Sequence, residues 1–151
     1  MVVTDIFSLS HESECLIPLY SNPVCCGFPS PADDYVEQFL DLNEHLIERP
    51  AATFLVRAVG DSMIDAGIKS GDMLLVDKSL TPRDGDVVVA QVDGQFMVKR
   101  YSDTRGRLRL VSENPLHPPV KVGEETEITI WGVVLHVIHS FRSPSNGRRT
   151  R

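Results

Sequence analysis

The chain has 151 residues, of which 42% are hydrophobic and 24% are charged, and it carries a formal net charge of −6. A chain of this length can bury one hydrophobic core, and these fractions are ordinary for a globular protein. The charge is uneven, because residues 1–50 hold nine acidic residues and one basic residue, whereas residues 51–151 hold twelve and fourteen. An acidic first third argues against a DNA-binding head in that part of the chain.

The sequence shows no sign of export or of a membrane anchor. The start Met1–Asp5 lacks a basic flank and a long apolar stretch, so no secretory signal is predicted. The longest apolar-rich run, residues 128–138, is well short of the roughly 20 residues that a membrane helix needs. Three cysteines, Cys15, Cys25 and Cys26, indicate neither a disulfide framework nor the spaced ligands of a zinc site. We therefore expect a cytoplasmic protein with no membrane contact, no metal and no cofactor.

The first third of the chain falls into two segments. Residues 1–32 show no sustained apolar period and contain four prolines, which disfavour a long helix, so an extended N-terminal arm is predicted. Residues 33–52 change character, since two aspartates at the start suit a helix N-terminus and apolar residues recur on one side. A short amphipathic helix is expected over residues 33–47, followed by a linker that includes Pro50.

From Thr53 onward the apolar residues alternate or form short continuous runs, which is typical of strands. Asp93-Gly94 between two such runs is a strong signal for a two-residue hairpin, and Arg105-Gly106 is a second candidate turn. Residues 53–141 are therefore predicted to form a compact, mainly antiparallel β domain, and residues 142–151 a disordered basic tail. The predicted strands are Phe54–Val59, Met73–Asp77, Asp86–Val92, Gln95–Tyr101, Arg107–Ser112 and Glu127–Ile138.

One serine and one lysine stand out by their surroundings. Ser62 lies in the turn-like segment Gly60–Met63, and Lys99 lies within the apolar strand predicted at Gln95–Tyr101. A serine hydroxyl is a weak nucleophile until a neighbouring base takes its proton, and lysine serves as that base only when its amine is neutral. At an unperturbed pKa only about one lysine in a thousand is neutral near pH 7.4, but burial disfavours the charged form. Both faces of the strand are apolar, which predicts that Lys99 is buried and makes a Ser–Lys peptidase the leading hypothesis.

Structural roles for the same two residues also fit the sequence. Gly-Asp-Ser is common turn chemistry, so Ser62 would then cap the segment 63–68. Lys99 lies near the end of its strand and would then extend its amine to water. A Ser-His-Asp triad is disfavoured, because the sequence after Ser62 lacks the second glycine of a nucleophile elbow. His136 and His139 fall on opposite faces of a predicted strand, which disfavours a shared ligand role.

Short motifs occur in a fixed order around these residues: Gly60–Met63, Ser70–Asp72, Gly85–Val88 and Val98–Arg100. Together they resemble the LexA-type self-cleaving Ser–Lys peptidases. Further stretches are similar to the UmuD-type branch of that family, whose members are accessory subunits of error-prone DNA polymerases: Cys26–Ala32, Tyr35–Gln38 and Trp131–Val137. The resemblance extends over about residues 20–140.

The resemblance implies a chemistry and a biological setting. Ser62 would be the nucleophile, Lys99 the general base, and the substrate would be the protein's own arm, cut between Cys26 and Gly27. The setting would be the SOS response to DNA damage, in which a RecA–single-stranded DNA filament promotes the cut. The shortened homodimer would then join a UmuC-type polymerase for translesion synthesis, without sequence-specific DNA binding of its own.

Three other classes of protein compete with this interpretation. A type I signal peptidase shares the Ser–Met motif and the lysine base, but it needs a membrane anchor, and Asp65 stands where its motif continues with proline. A LexA-like repressor needs a helix-turn-helix head of about sixty residues before the cut, whereas 26 residues precede Gly27 here. A polymerase-binding module without catalytic activity is the third class, and a self-cleavage assay separates it from the peptidase.

Overall fold

The computed structural model describes residues 1–9, 14–20, 36–120 and 125–142 of the chain. The chain divides into two compact units, one of Met1–Leu9 with Ala52–Arg151 and one of Ser10–Ala51. The cut predicted between Cys26 and Gly27, and the tail from residue 143 onward, lie outside the described residues.

The described residues form nine β-strands, one short α-helix and two 3-10 segments. The helix α1 spans Leu42–Leu46, and the 3-10 segments span Pro50–Ala52 and Ile64–Ala66. The protein is therefore mainly β, as the sequence predicts. In chain order the strands are β1 Val2–Ser8, β2 Leu16–Tyr20, β3 Val36–Asp41, β4 Thr53–Val59, β5 Met73–Asp77, β6 Val87–Val92, β7 Gln95–Thr104, β8 Arg107–Val111 and β9 Ile128–Ile138.

In the smaller unit, β2 and β3 form a two-stranded antiparallel sheet with Ile17 opposite Leu40. Helix α1 follows β3 directly, and the Asp41 carboxylate caps it by accepting a hydrogen bond from the Asn43 backbone N–H at 2.9 Å. The helix is thus shorter than the sequence predicts, because residues 36–41 pair with β2 as a strand. Strand pairing decides a conformation that a short apolar pattern leaves ambiguous.

In the larger unit, seven strands form one antiparallel sheet in the order β1-β4-β5-β9-β6-β7-β8. Val2 at the start of β1 also pairs with Met97 of β7, so the sheet closes on itself like a barrel. The six strands predicted from the sequence are confirmed as β4 to β9, with ends that differ by three residues at most.

Both hairpin turns predicted from the sequence are present. Asp93 and Gly94 join β6 to β7 with φ angles of 47° and 83°, and Arg105 and Gly106 join β7 to β8 with φ angles of 53° and 75°. Two consecutive residues with positive φ are what a two-residue turn needs to match the twist of its flanking strands. The turns therefore fix the register of β7 against both neighbours.

Residues 2–8, which the sequence assigns to the N-terminal arm, form β1 in the main sheet. β1 runs antiparallel to β4, with Val3 opposite Ala58 and Ile6 opposite Val56. Val3 is half-buried, and the other side chains of the strand are exposed. Backbone pairing rather than an apolar face thus places β1, which is why alternation of side chains does not reveal it.

Strand β7 lies between two clusters of buried apolar side chains. Val98 belongs to the first cluster, and Phe96 packs against it. Met97 and Tyr101, on the other face of the strand, pack against the second cluster. Both faces of β7 are therefore apolar, as predicted, and Lys99 is carried within a buried strand.

Gly132 lies where β9 runs beside β5 without room for a side chain. A Cβ atom at this position would lie 2.6 Å from Val76 Cγ1 and 3.0 Å from the Asp77 backbone oxygen. Val76 and Asp77 are completely buried, so neither moves aside without disturbing the core. The close approach of these strands therefore requires glycine.

We expect Gly132→Ala to lower the free energy of unfolding by about 1–3 kcal/mol, the usual cost of overpacking a core. Urea unfolding followed by the fluorescence of Trp131 measures it. In a Val76→Ala background, which removes the nearest methyl group, the same substitution should cost less. An equal cost in both backgrounds would contradict the steric explanation.

Candidate active site

Ser62 is presented by a tight turn that follows β4. Gly60 turns the chain with a φ of 111°, and its N–H donates to Ser70 Oγ at 3.1 Å. Met63 is completely buried in the first cluster and anchors the other side of the turn. Ser62 is itself only 2% exposed. The 3-10 segment Ile64–Ala66 has no side-chain cap, so Ser62 does not act as a helix cap.

Lys99 projects from β7 to the same place. Its amine Nζ lies 3.3 Å from Ser62 Oγ and donates to Ser112 Oγ at 2.7 Å. The residue is 7% exposed, which confirms the predicted burial and contradicts an amine that extends to water. Burial lowers the pKa of the Lys99 amine below its ordinary value of 10.5. The structure thus brings together the two residues that the sequence singles out.

The loop after β8 holds the turn of Ser62 in place. The Asp65 backbone N–H donates to the Glu113 carbonyl at 2.9 Å, and the Asn114 side chain donates to the Asp61 carbonyl at 3.0 Å. His117 Nε2 also lies 2.6 Å from Asp61 Oδ1. These three contacts flank Ser62 on both sides. The position of its hydroxyl is therefore set by the hairpin β7–β8 as well as by β4.

A third group, the amino group of Met1, also reaches Ser62. It donates a hydrogen bond to Ser62 Oγ, and the Met1 carbonyl accepts one from the Val98 N–H at 3.0 Å. The Met1 side chain is buried in the first cluster. Among the described residues, the partners of Ser62 Oγ are therefore two amines and no histidine.

The sequence did not predict four further residues at this site: Ser112, Asn114, His117 and Met1. Ser112 could have been found from the hairpin register. A two-residue turn at Arg105-Gly106 pairs position 100 with 111, so position 99 lies opposite position 112. Asn114 and His117 lie in a loop without a period, and no pattern marks Met1. Loop contacts of this kind depend on the closed sheet, which the sequence does not show directly.

The remaining histidines considered from the sequence do not form a common site. His139 Nδ1 lies 2.5 Å from Asp72 Oδ1 and packs edge-on against Phe141, whereas His136 pairs with Leu75 within the sheet. The described part of the chain contains no group of three or more His, Cys, Asp or Glu side chains placed to hold a metal ion. It also contains no helix that is long and apolar enough to cross a membrane.

Comparisons with known proteins show which family the chain is similar to. A family model described as Peptidase S24-like matches residues 18–135. Protein SamA of Salmonella typhimurium strain LT2 is 48% identical over 126 residues, which cover 83% of this chain and 87% of SamA. Protein MucA of Escherichia coli is 42% identical over 134 residues, which cover 87% and 91%. The LexA repressor of Photorhabdus laumondii is 36% identical over 118 residues, which cover 78% of this chain and 58% of the repressor.

The lowered pKa of Lys99 predicts how stability depends on pH. Between the folded pKa and the ordinary value of 10.5, the unfolded chain binds a proton at Lys99 that the folded chain does not. Unfolding then takes up a proton, so wild-type stability should rise with pH across that window relative to Lys99→Met. Urea unfolding at a series of pH values measures the difference, with Lys69→Met, which removes an exposed amine, as the matched control. A difference between wild type and Lys99→Met that stays constant with pH would contradict a lowered pKa.

Proposed function

The chain belongs to the Peptidase S24-like family of serine peptidases, and we propose that it cleaves itself with Ser62 as nucleophile and Lys99 as general base. The observation that carries the proposal is the 3.3 Å between Ser62 Oγ and Lys99 Nζ, in a place where both side chains are buried. Burial lowers the pKa of the amine and so raises the fraction of Lys99 that is neutral at a given pH, which is the form that can act as a base.

The proposed reaction has two halves. The neutral Lys99 amine takes the proton of Ser62 Oγ as the oxygen attacks the carbonyl carbon of the scissile bond. The resulting ammonium gives that proton to the leaving amine, which leaves an ester on Ser62. Water then attacks the ester, again losing a proton to Lys99, and the released serine regains its hydroxyl. The negative oxygen formed at each attack needs preorganised N–H donors, and the backbone N–H of Ser62 is the donor that we propose.

The proposed substrate is the bond between Cys26 and Gly27. The sequence Val24–Gly27 is small and largely apolar, so it suits an extended fit in a narrow cleft. A glycine after the bond lets the backbone approach the nucleophile closely. A bond held in the same molecule or dimer is present at a high effective concentration, so a modest catalyst suffices.

The proposed setting is the SOS response in the cytoplasm. The supporting observations are the 48% and 42% identities to SamA and MucA, the match to a LexA repressor, and the UmuD-type motifs in the sequence. We propose that a RecA–single-stranded DNA filament promotes the cut. The shortened homodimer then serves a UmuC-type polymerase in translesion synthesis.

Replacement of Ser62 tests the nucleophile and the bond. Wild-type protein incubated with RecA filament should yield residues 1–26 and a product that begins at Gly27, whereas Ser62→Ala should yield neither, because it lacks the attacking oxygen. Intact-mass spectrometry identifies both fragments. A different new N-terminus would refute the assigned bond, and continued cutting by Ser62→Ala would refute the nucleophile.

The Ser62→Ala variant also separates self-cleavage from the proposed role as an accessory subunit of a polymerase. In cells that carry Ser62→Ala, supply of residues 27–151 should restore damage-induced mutagenesis, since the serine is needed only to remove the arm. If wild-type protein is never cut and mutagenesis is unaffected by Ser62→Ala, a polymerase-binding module without catalytic activity is the better interpretation.

Ser112 is proposed to orient the lysine, so its removal should change the pH profile of self-cleavage. Ser112→Ala should lower the rate reached at high pH, where Lys99 is already neutral, by about tenfold, because a hydrogen bond to the ammonium that forms during the attack is worth about 1.5–3 kcal/mol. The cleavage rate of Ser112→Ala should also begin to rise at a lower pH than that of wild-type protein. The ammonium form of Lys99 loses a hydrogen-bond acceptor while the neutral amine loses less, so the pKa of Lys99 falls. Ser102→Ala on the same hairpin is the matched control and should leave rate and profile unchanged. An unchanged profile for Ser112→Ala would contradict this role.

A further inference from the structure

Strand β1 and the proposed catalytic pair meet at one point of the sheet. We infer that β1 occupies the groove through which a substrate strand must reach Ser62, so that the described chain is the closed form of the site. The inference concerns the regulation of that site and rests on the function proposed for Ser62 and Lys99. Four observations carry it: the walls of the groove, the contact at Ser62, the sparse side-chain packing of β1, and the separate support of the serine turn.

The walls of the groove are β4 and β7. Val2 pairs with Val59 of β4 on one side and with Met97 of β7 on the other. Ser62 follows β4 closely, and Lys99 lies two residues beyond Met97. If β1 withdraws, two strands with free backbone N–H and C=O groups face each other beside the catalytic pair. Such edges bind an extended peptide through main-chain hydrogen bonds.

The start of β1 fills the place that a scissile bond needs. A reacting carbonyl must come within about 3 Å of the serine oxygen, and the Met1 amino group already contacts Ser62 Oγ. The Cα atom of Met1 lies 3.3 Å from where a Cβ of Gly60 would stand, so the chain is packed directly onto the serine turn. With Met1 in place, Ser62 and Lys99 are buried and unreachable for another segment. Occupancy by β1 and by a substrate is therefore mutually exclusive.

The strand is held by few side chains. Met1, at 8% exposure, and the half-buried Val3 pack against the first cluster, whereas Val2 is 39% exposed and the strand beyond Val3 faces solvent. Burial and then the charge of Lys99 lower the pKa of the Met1 amine, against the opposing effect of Asp61. Two amines, those of Met1 and Lys99, thus contact the same oxygen, Ser62 Oγ, and their charges repel each other when both are protonated. A partner that binds β1 or its continuation therefore has to replace the backbone pairing with β4 but little apolar packing.

The serine turn is also held by contacts that do not involve β1. Asp65 and Asp61 are bound by Glu113 and Asn114 of the loop after β8, as described above. Lys99 is held within β7 by pairing with Val88 of β6. The catalytic pair therefore keeps its geometry when β1 leaves, and the groove opens onto an assembled site.

The first test measures access to position 62 without any cleavage. In full-length Ser62→Cys protein, peptide mass spectrometry follows alkylation of the introduced thiol by iodoacetamide before any fragment forms. Adding Val3→Asp should speed alkylation by about tenfold or more, because a carboxylate is not tolerated in an apolar contact without a partner. Val2→Asp makes the same charge change on the exposed side of the strand. It should leave the alkylation rate within about twofold of that of the Ser62→Cys protein, as expected for a surface substitution.

The second test locks the strand instead of loosening it. Val2 and Val59 are directly opposite each other in an antiparallel pair, at a spacing that a disulfide can bridge. In protein with Ser62 intact, Val2→Cys with Val59→Cys should abolish self-cleavage when oxidised and regain it on reduction. The two single variants under the same oxidant are the controls. This test remains decisive if Val3→Asp does not fold.

The two readouts distinguish the inference from the function on which it rests. Equal alkylation rates in all variants, or self-cleavage by the oxidised double variant at the reduced rate, would overturn occlusion by β1 while leaving the peptidase intact. Faster alkylation with Val3→Asp, but no self-cleavage by wild-type protein, would support occlusion of position 62 and overturn the proposed peptidase.

Discussion

The burial of one lysine amine beside one serine hydroxyl is the constraint on which the rest of the structure depends. An amine leaves water at a cost that only partners and packing offset. Lys99 finds its partners in Ser62 and Ser112, and its place within β7 is fixed by apolar packing on both faces of the strand. The hairpin turns at either end of β7 set the register that brings its amine to this point.

Closure of the sheet is the second requirement, because Ser62 follows β4 and Lys99 lies in β7, and these two strands are not neighbours in the sheet. β4 and β7 lie on either side of the seam that the start of β1 closes. The loop after β8 crosses to the serine turn and joins the same two regions by hydrogen bonds. The start of β1 thus closes the barrel and contacts Ser62, while the loop after β8 holds the serine turn separately. Because different elements make these two sets of contacts, Ser62 and Lys99 can be held together while β1 lies over them.

The sequence predicted the parts of this arrangement that depend on local pattern. Alternation found β4 to β9, the Asp93-Gly94 and Arg105-Gly106 turns were identified by type, and the two apolar faces of β7 indicated that Lys99 is buried. It could not place β1, whose side chains are mostly exposed and whose position depends on backbone pairing with a distant strand. The contacts that Met1 and the loop after β8 make with the serine turn could not be predicted for the same reason, since they exist only once the sheet has closed.

The most direct test of this account is the titration of the Lys99 amine itself. In the uncut Ser62→Ala protein, the ¹⁵N shift of Lys99 Nζ can be followed with pH, and the midpoint compared with that of the pH–rate profile of self-cleavage by wild-type protein. If Lys99 is the base, its midpoint should lie below 10.5, since burial lowers the pKa of the amine. The pH–rate profile of wild-type protein should have nearly the same midpoint, displaced only by the Ser62 hydroxyl that the variant lacks. A midpoint at or above 10.5, or a cleavage rate that does not change across the titration, would contradict a buried lysine acting as the base.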